Sequence, residues 1–113
     1  MLEKKNRIRL NKEFDHVFKT GQSFYVKGLG VKSAEILSKD SRFGFLVGLK
    51  VDKRAVVRNR IKRQLRAVVR AEKPLLKDFK EIIIISLPVI KEMSFLDIEK
   101  NLKIAFKKLS LYD

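Results

Sequence analysis

Between residues 50 and 70 the chain carries nine lysines and arginines, at 50, 53, 54, 58, 60, 62, 63, 66 and 70, against one acid, Asp52, a local charge of +8. At about 100° per residue on a helix, Asn59, Lys62, Arg63, Arg66 and Arg70 fall on one side. Arg58 and Arg60 flank them, and Val57, Ile61, Leu65 and Val68 lie opposite. Like charges four apart, as in Arg58, Lys62, Arg66 and Arg70, repel by a few tenths of a kcal/mol per pair. A solvated helix face mixes both signs, whereas this one suits phosphate, which it would bind with release of counterions. A basic helix lying on a membrane would keep aromatic or long apolar residues beyond those its core face uses, and none remain here.

Other residue types exclude chemistry rather than supply it. His16 is the only histidine and there is no cysteine, which removes histidine pairs, thiolate zinc sites and thiol nucleophiles. Asp and Glu are scattered singly, so no spacing marks a carboxylate pair holding two metals for phosphodiester hydrolysis. No Gly-rich phosphate loop occurs. His16 lies off the nearest apolar stripe and reads as a surface histidine.

The whole chain shares the cationic bias: 27 Lys and Arg against 13 Asp and Glu give +14 over 113 residues, with 45% hydrophobic residues to build a core. Such self-repulsion calls for a counter-charged partner, nucleic acid first and an anionic membrane second. The longest apolar run, Ile82 to Ile85, is far short of the ~18 residues a membrane span needs. The N-terminus, MLEKKNRIRLNKEF, lacks a signal-peptide core. The expectation is a soluble, cytoplasmic protein without a membrane partner, folded as one domain over residues 1–113.

The elements that must position the basic helix follow from periodicity. Residues 11–20 read as a helix with Asn11 as N-cap, Leu10, Phe14, Val17 and Phe18 as its stripe and Gly21 as its stop. Residues 23–36 and 42–51 change to period two, with a polar break at 38–41 that suits a hairpin. In the second strand Phe43, Phe45, Val47, Leu49 and Val51 share one face. Gly44 and Gly48 occupy the other and let a neighbouring element, such as a helix, approach closely. Residues 54–72 form the basic helix, buried through Val57, Ile61, Leu65, Val68 and Val69 and closed by Pro74. The run from Ile82 to Leu87 reads as a central strand buried on both faces, ended by Pro88. Ser94 and Asp97 cap a last helix with Phe95, Ile98, Leu102, Ala105, Phe106 and Leu109 inward. The class is α+β, a single-domain αβββαβα sandwich with a sheet of roughly four strands.

The segment from Lys53 to Arg66, KRAVVRNRIKRQLR, with Arg58, Asn59 and Arg60 at its centre and Lys62, Arg63 and Arg66 beyond, closely resembles the signature of the bacterial ribonuclease P protein component. The resemblance extends over nearly the whole chain. It takes in Leu10 to Phe14, Val17, Phe18, Gly21, the strand from Arg42 to Val47, the isoleucine strand and Leu111-Tyr112. It departs at Leu49, where Lys is common in the family, and at Ala67, where Glu is common. The resemblance implies a left-handed crossover around the basic helix, contrary to the usual hand. It also implies a division of labour. A catalytic RNA carries a magnesium-dependent active site that removes the 5′ leader of precursor tRNA, with Mg2+ held mainly by RNA and substrate. The protein binds that RNA, through Lys53, Arg54, Arg58, Asn59, Arg60, Lys62, Arg63, Arg66 and Arg70, and also binds the leader.

For the leader, the resemblance places Phe14 and Phe18 beside a sheet groove. The helical stripe alone favours core packing. Aromatics beside cations are what a single strand needs, at ~1–3 kcal/mol per stacked base. Lys27 and Lys32, on the strand that follows, are expected at leader phosphates and Tyr112 at a further base; some family members carry an aromatic at the Lys32 position. Lys4, Lys5, Arg7, Arg9 and Lys12 form a second cationic cluster, a solubilising tail or an RNA contact. Two alternatives to an RNase P subunit stand beside it: a structural RNA-binding protein such as a ribosomal component, and an autonomous nuclease.

Overall fold

The computed structural model describes the backbone of residues 4–8 and 11–113 and the side chains of 4–8 and 14–113. Among these residues the order is α1 (Asn11–Thr20), β1 (Gln22–Val26), β2 (Leu29–Glu35), β3 (Arg42–Leu46), α2 (Ala55–Glu72), β4 (Lys80–Ser86) and α3 (Phe95–Lys108). This is the expected αβββαβα succession. Leu10, Arg9, and the side chains of Asn11 and Lys12 lie outside the described residues.

The four strands form one mixed sheet in the order β1-β2-β4-β3. β1 with β2 and β2 with β4 are antiparallel, while β3 and β4 run parallel and are joined by α2. The isoleucine strand is therefore interior, as its lack of alternation predicts: Ile82, Ile83 and Ile84 are fully buried. That placement corrects the hairpin expected at 38–41, because β4 stands between β2 and β3. The polar break instead passes over the start of β4. Ser41 Oγ donates to the Lys77 carbonyl and accepts from the Lys80 N–H, both at 3.1 Å. The actual hairpin joins β1 to β2 through Lys27 and Gly28, where Gly28 takes φ +85°, a conformation open to glycine without strain.

One face of the sheet carries Leu29, Val31, Phe43, Ile82 and Ile84, which pack with Val57, Ile61, Leu65, Val68 and Val69 of α2 and Ile98, Leu102, Ala105 and Phe106 of α3. The expected core stripe of α2 is buried in full, and Ser94 Oγ accepts the Asp97 N–H at 3.1 Å at the start of α3. Val47 and Val51 join this core from beyond β3, but Leu49 is exposed because the strand ends at Leu46 and the chain turns. Phe95 is likewise at the surface, in the first turn of α3 where the helix overhangs its partners.

Among the described residues the other face is covered by α1 and Ile8, with Val17 and Phe14 of the helix packed with Ile8, Ala34 and Ile83. Gly21 ends α1 as expected, its N–H donating to the Val17 carbonyl at 2.8 Å. A Cβ there would lie 2.5 Å from that oxygen, so the chain can turn into β1 only with glycine.

Candidate nucleic-acid interface

Strand register arranges the face under α1 as three rows running across the sheet. The first holds Ala34, Glu81 and Arg42; the second Ser23, Lys32, Ile83 and Gly44; the third Tyr25, Gly30, Ile85 and Leu46. One short helix lies over the first two rows. Phe14 lies over Gly44, where a Cβ would come within 2.8 Å of its Cε1, so the glycine admits α1 as anticipated. Gly48 has nothing within 4 Å and plays no such part.

Row one meets the helix through a buried carboxylate. Glu81 is 3% exposed, with Oε1 3.3 Å from His16 Nδ1 and Oε2 3.2 Å from Arg42 Nη2. His16 is at the surface as expected, and its ring also faces a buried carboxylate. An off-stripe position in sequence does not show what the neighbouring strand brings beneath it.

Row two carries the aromatic and cationic pair. Phe18 is 44% exposed, and Lys32 Nζ lies 5.7 Å from its ring centroid. Phe14 is half-buried and Phe18 is not, so the stripe serves the core through one ring and leaves the other available. Lys27 stands in the β1–β2 turn rather than in a strand, exposed, with its carbonyl accepting from Asn101 Nδ2 at 3.2 Å. Tyr112 is not brought to these rings. It packs with the helices of the opposite face, edge-on to Phe106 at 6.2 Å, and its hydroxyl donates to Glu72 Oε1 at 2.7 Å. Burial, with the Glu72 carboxylate beside it, pushes its phenol well above the ordinary range.

The basic helix is built on an acid. Asp52 is buried, and its Oδ1 accepts the Arg54 N–H at 2.8 Å and Nε at 3.1 Å; Oδ2 accepts Arg54 Nη2 at 3.0 Å and Lys91 Nζ at 3.3 Å. The Arg54 guanidinium and backbone N–H, with Lys91, hold the Asp52 carboxyl well below the usual carboxylate range. Arg54 occupies the N-cap position without capping through its own side chain. Arg58 Nη1 donates to the Asp52 and Lys53 carbonyls at 3.0 and 2.7 Å. Two arginines are thereby held at the entrance of α2, while Lys53, Asn59, Arg60, Arg63 and Arg70 project into solvent. Arg63, Arg66 and Arg70 rim a groove of about 550 Å³ floored by Ala67 and Ala71. Ala67, noted above as a departure, removes the acid that would have stood among the arginines.

These two surfaces meet at the edge strand β3. Lys62 and Arg66 of α2 share a cleft of about 120 Å³ with Arg7, Phe14, Gly44 and Phe45, and the Arg66 guanidinium lies 5.8 Å from the Phe45 centroid. Sequence reasoning separated the basic helix from the α1 aromatics, missed Phe45, and read Arg7 only as part of an N-terminal cationic cluster, whereas both line this cleft. The arginine-over-aromatic contact crosses from helix to strand, and neither periodicity predicts it. Among the described residues no three His, Asp or Glu side chains gather as a metal site, and no helix is long and apolar enough to cross a membrane.

Comparison with known proteins agrees with this architecture. The ribonuclease P protein component of Syntrophomonas wolfei is 38% identical over 112 residues, covering 99% of this chain and 93% of the relative. That of Bacillus velezensis is 39% identical over 114 residues, covering 98% and 95%. The structure of the Staphylococcus aureus RNase P protein superposes with a TM-score of 0.88 at 28% identity, over 96% of this chain and 98% of the other. That of Thermotoga maritima gives 0.78 at 26% identity, over 87% and 92%. The α+β fold is the one these proteins share. With the ribonuclease P family model matching residues 2–110, the chain belongs to the ribonuclease P protein family, RNA-binding subunits of a ribonucleoprotein endoribonuclease that processes tRNA.

Proposed function

We propose that residues 1–113 act as one RNA-binding domain that holds the catalytic RNA of ribonuclease P with α2 and the single-stranded 5′ leader of precursor tRNA on the α1 side of the sheet. Cleavage is then the work of the RNA, with Mg2+ held by RNA and substrate, and the cytoplasm is the place of action. The observation that carries this reading is the half-exposed Phe18 ring with Lys32 beside it, on the sheet face where Tyr25 is also exposed. A base can stack on the ring while its phosphate meets the ammonium. Lys53, Arg54, Arg58, Asn59, Arg60, Lys62, Arg63, Arg66 and Arg70 form the surface for the RNA subunit, with Lys62 and Arg66 reaching round to the leader side.

The test is Phe18→Leu in a holoenzyme assembled with a bacterial ribonuclease P RNA. Leucine keeps apolar volume and removes the π face. Affinity for precursor tRNA should fall by a stacking-sized ~1–3 kcal/mol, while mature tRNA, which lacks the leader, binds as before. Equal losses on both ligands, or none, would make Phe18 a packing residue and place the leader elsewhere.

A further inference from the structure

Tyr25 is an aromatic on the α1 face of the sheet that the α1 stripe does not include. It stands in β1 opposite Gly30 of β2 and is 51% exposed. A Cβ at Gly30 would lie 2.3 Å from both Cδ1 and Cε1 of the ring. The ring therefore lies against β2 because residue 30 has no side chain, and any other residue would lift it off. Ile85 and Leu46, half-buried, continue the same row across β4 and β3 and give it an apolar floor.

The spacing relates this ring to the Phe18 and Lys32 pair. Gly30 and Lys32 are two residues apart on one strand and face the same way, which separates them by about 6.7 Å. That is about twice the 3.4 Å rise of a stacked strand. Adjacent bases drawn out to that distance have parted from each other, and each needs a surface of its own. The Tyr25 ring lies on the Gly30 row, and Phe18 stands by the Lys32 row with the Lys32 ammonium 5.7 Å from its centroid, available to a phosphate.

Resting on the leader reading above, we propose that Tyr25, seated on Gly30, is a second stacking platform for the single-stranded leader, one nucleotide step from Phe18, so that this row reads a leader base that the Phe18 pair does not. Polyanionic single-stranded RNA is the occupant that the charge favours: Lys32 adjoins the row, and the chain carries +14. The ring needs no sequence-specific hydrogen bond for this, since every base has a π face.

The test measures affinity of the holoenzyme for precursor tRNAs whose leaders grow one nucleotide at a time, with mature tRNA as reference, for the unaltered protein, Tyr25→Ala, Tyr25→Phe, Gly30→Ala and Phe18→Leu. Tyr25→Ala should weaken binding about five- to tenfold, from a leader length displaced by one nucleotide from that at which Phe18→Leu begins to act. Tyr25→Phe should restore affinity. Gly30→Ala, which keeps the ring but lifts it, should lose it again, with circular dichroism and assembly with the RNA subunit unchanged. Leader-dependent loss in Phe18→Leu but none in Tyr25→Ala overturns the Tyr25 platform and leaves the leader reading intact. Loss in both at the same leader length overturns the separate step, and loss on mature tRNA overturns any leader contact at Tyr25. Absence of leader dependence in both variants removes the leader reading and this platform together.

Discussion

His16 Nδ1 lies 3.3 Å from Glu81 Oε1, so the helix that carries Phe14 and Phe18 is tied to the sheet by a buried carboxylate that Arg42 holds from the other side. Severing it should loosen the fold as well as α1. Glu81→Gln removes the carboxylate that pairs with Arg42 and faces His16, at a cost of about 1–3 kcal/mol, reduced from the fully buried case because both partners are partly exposed. Glu35→Gln removes the Lys80 partner at 3.2 Å from an exposed carboxylate and should cost less than ~0.5 kcal/mol. Urea unfolding of the two variants checks the contrast.

The seat of Phe14 makes a second comparison between two glycines. At Gly44 a Cβ would stand 2.8 and 3.0 Å from Phe14 Cε1 and Cζ, whereas at Gly48 nothing lies within 4 Å. Gly44→Ala must push the ring and α1 off the sheet, an overpacking cost of ~1–3 kcal/mol; Gly48→Ala should stay within ~0.5 kcal/mol. Thermal melts of both variants settle the difference, and leader binding should weaken only for Gly44→Ala.

The basic helix should act by position and not by charge count. Replacing Arg60 and Arg63, both exposed on α2, by Ala removes the same two charges as replacing Lys107 and Lys108 in the last turn of α3. Affinity for the RNA subunit should fall roughly tenfold or more for the α2 pair and little for the α3 pair. The slope of log affinity against log salt should also flatten by about 1–2 for the α2 pair alone. Titrations at three salt concentrations read both quantities.

Asp52 gives a pH dependence of defined sign. Its carboxyl is held below the usual range in the folded chain, chiefly by the Arg54 guanidinium, so the charged form stabilises the fold. That contribution is complete above the unfolded-state value near ~4 and fades as pH falls below it toward the lower folded value. Asp52→Asn should therefore be less stable than the unaltered protein by a constant margin from pH 5 to 8, and the margin should shrink below about pH 4. Denaturant midpoints across this series measure it, and a margin that widens on acidification would contradict the assignment.

What the sequence by itself determined is local in origin. The inward stripe of α2, the Ser94 cap of α3, the stop at Gly21 and the interior character of the isoleucine run all follow from period, cap chemistry or missing alternation. The +8 helix face follows from residue order alone. What only the tertiary structure decided is which strands are neighbours. Inserting β4 between β2 and β3 replaced the expected hairpin and put Glu81 beside Arg42 and under His16. The same register laid Tyr25 on Gly30 and drew Phe45 to Arg66, while Tyr112 went to Glu72 instead of to the α1 rings. Each of these contacts joins residues from different elements. A period of two tells which face a side chain takes, but not which strand will lie beside it, because that choice depends on burying the most apolar strand on both sides at once.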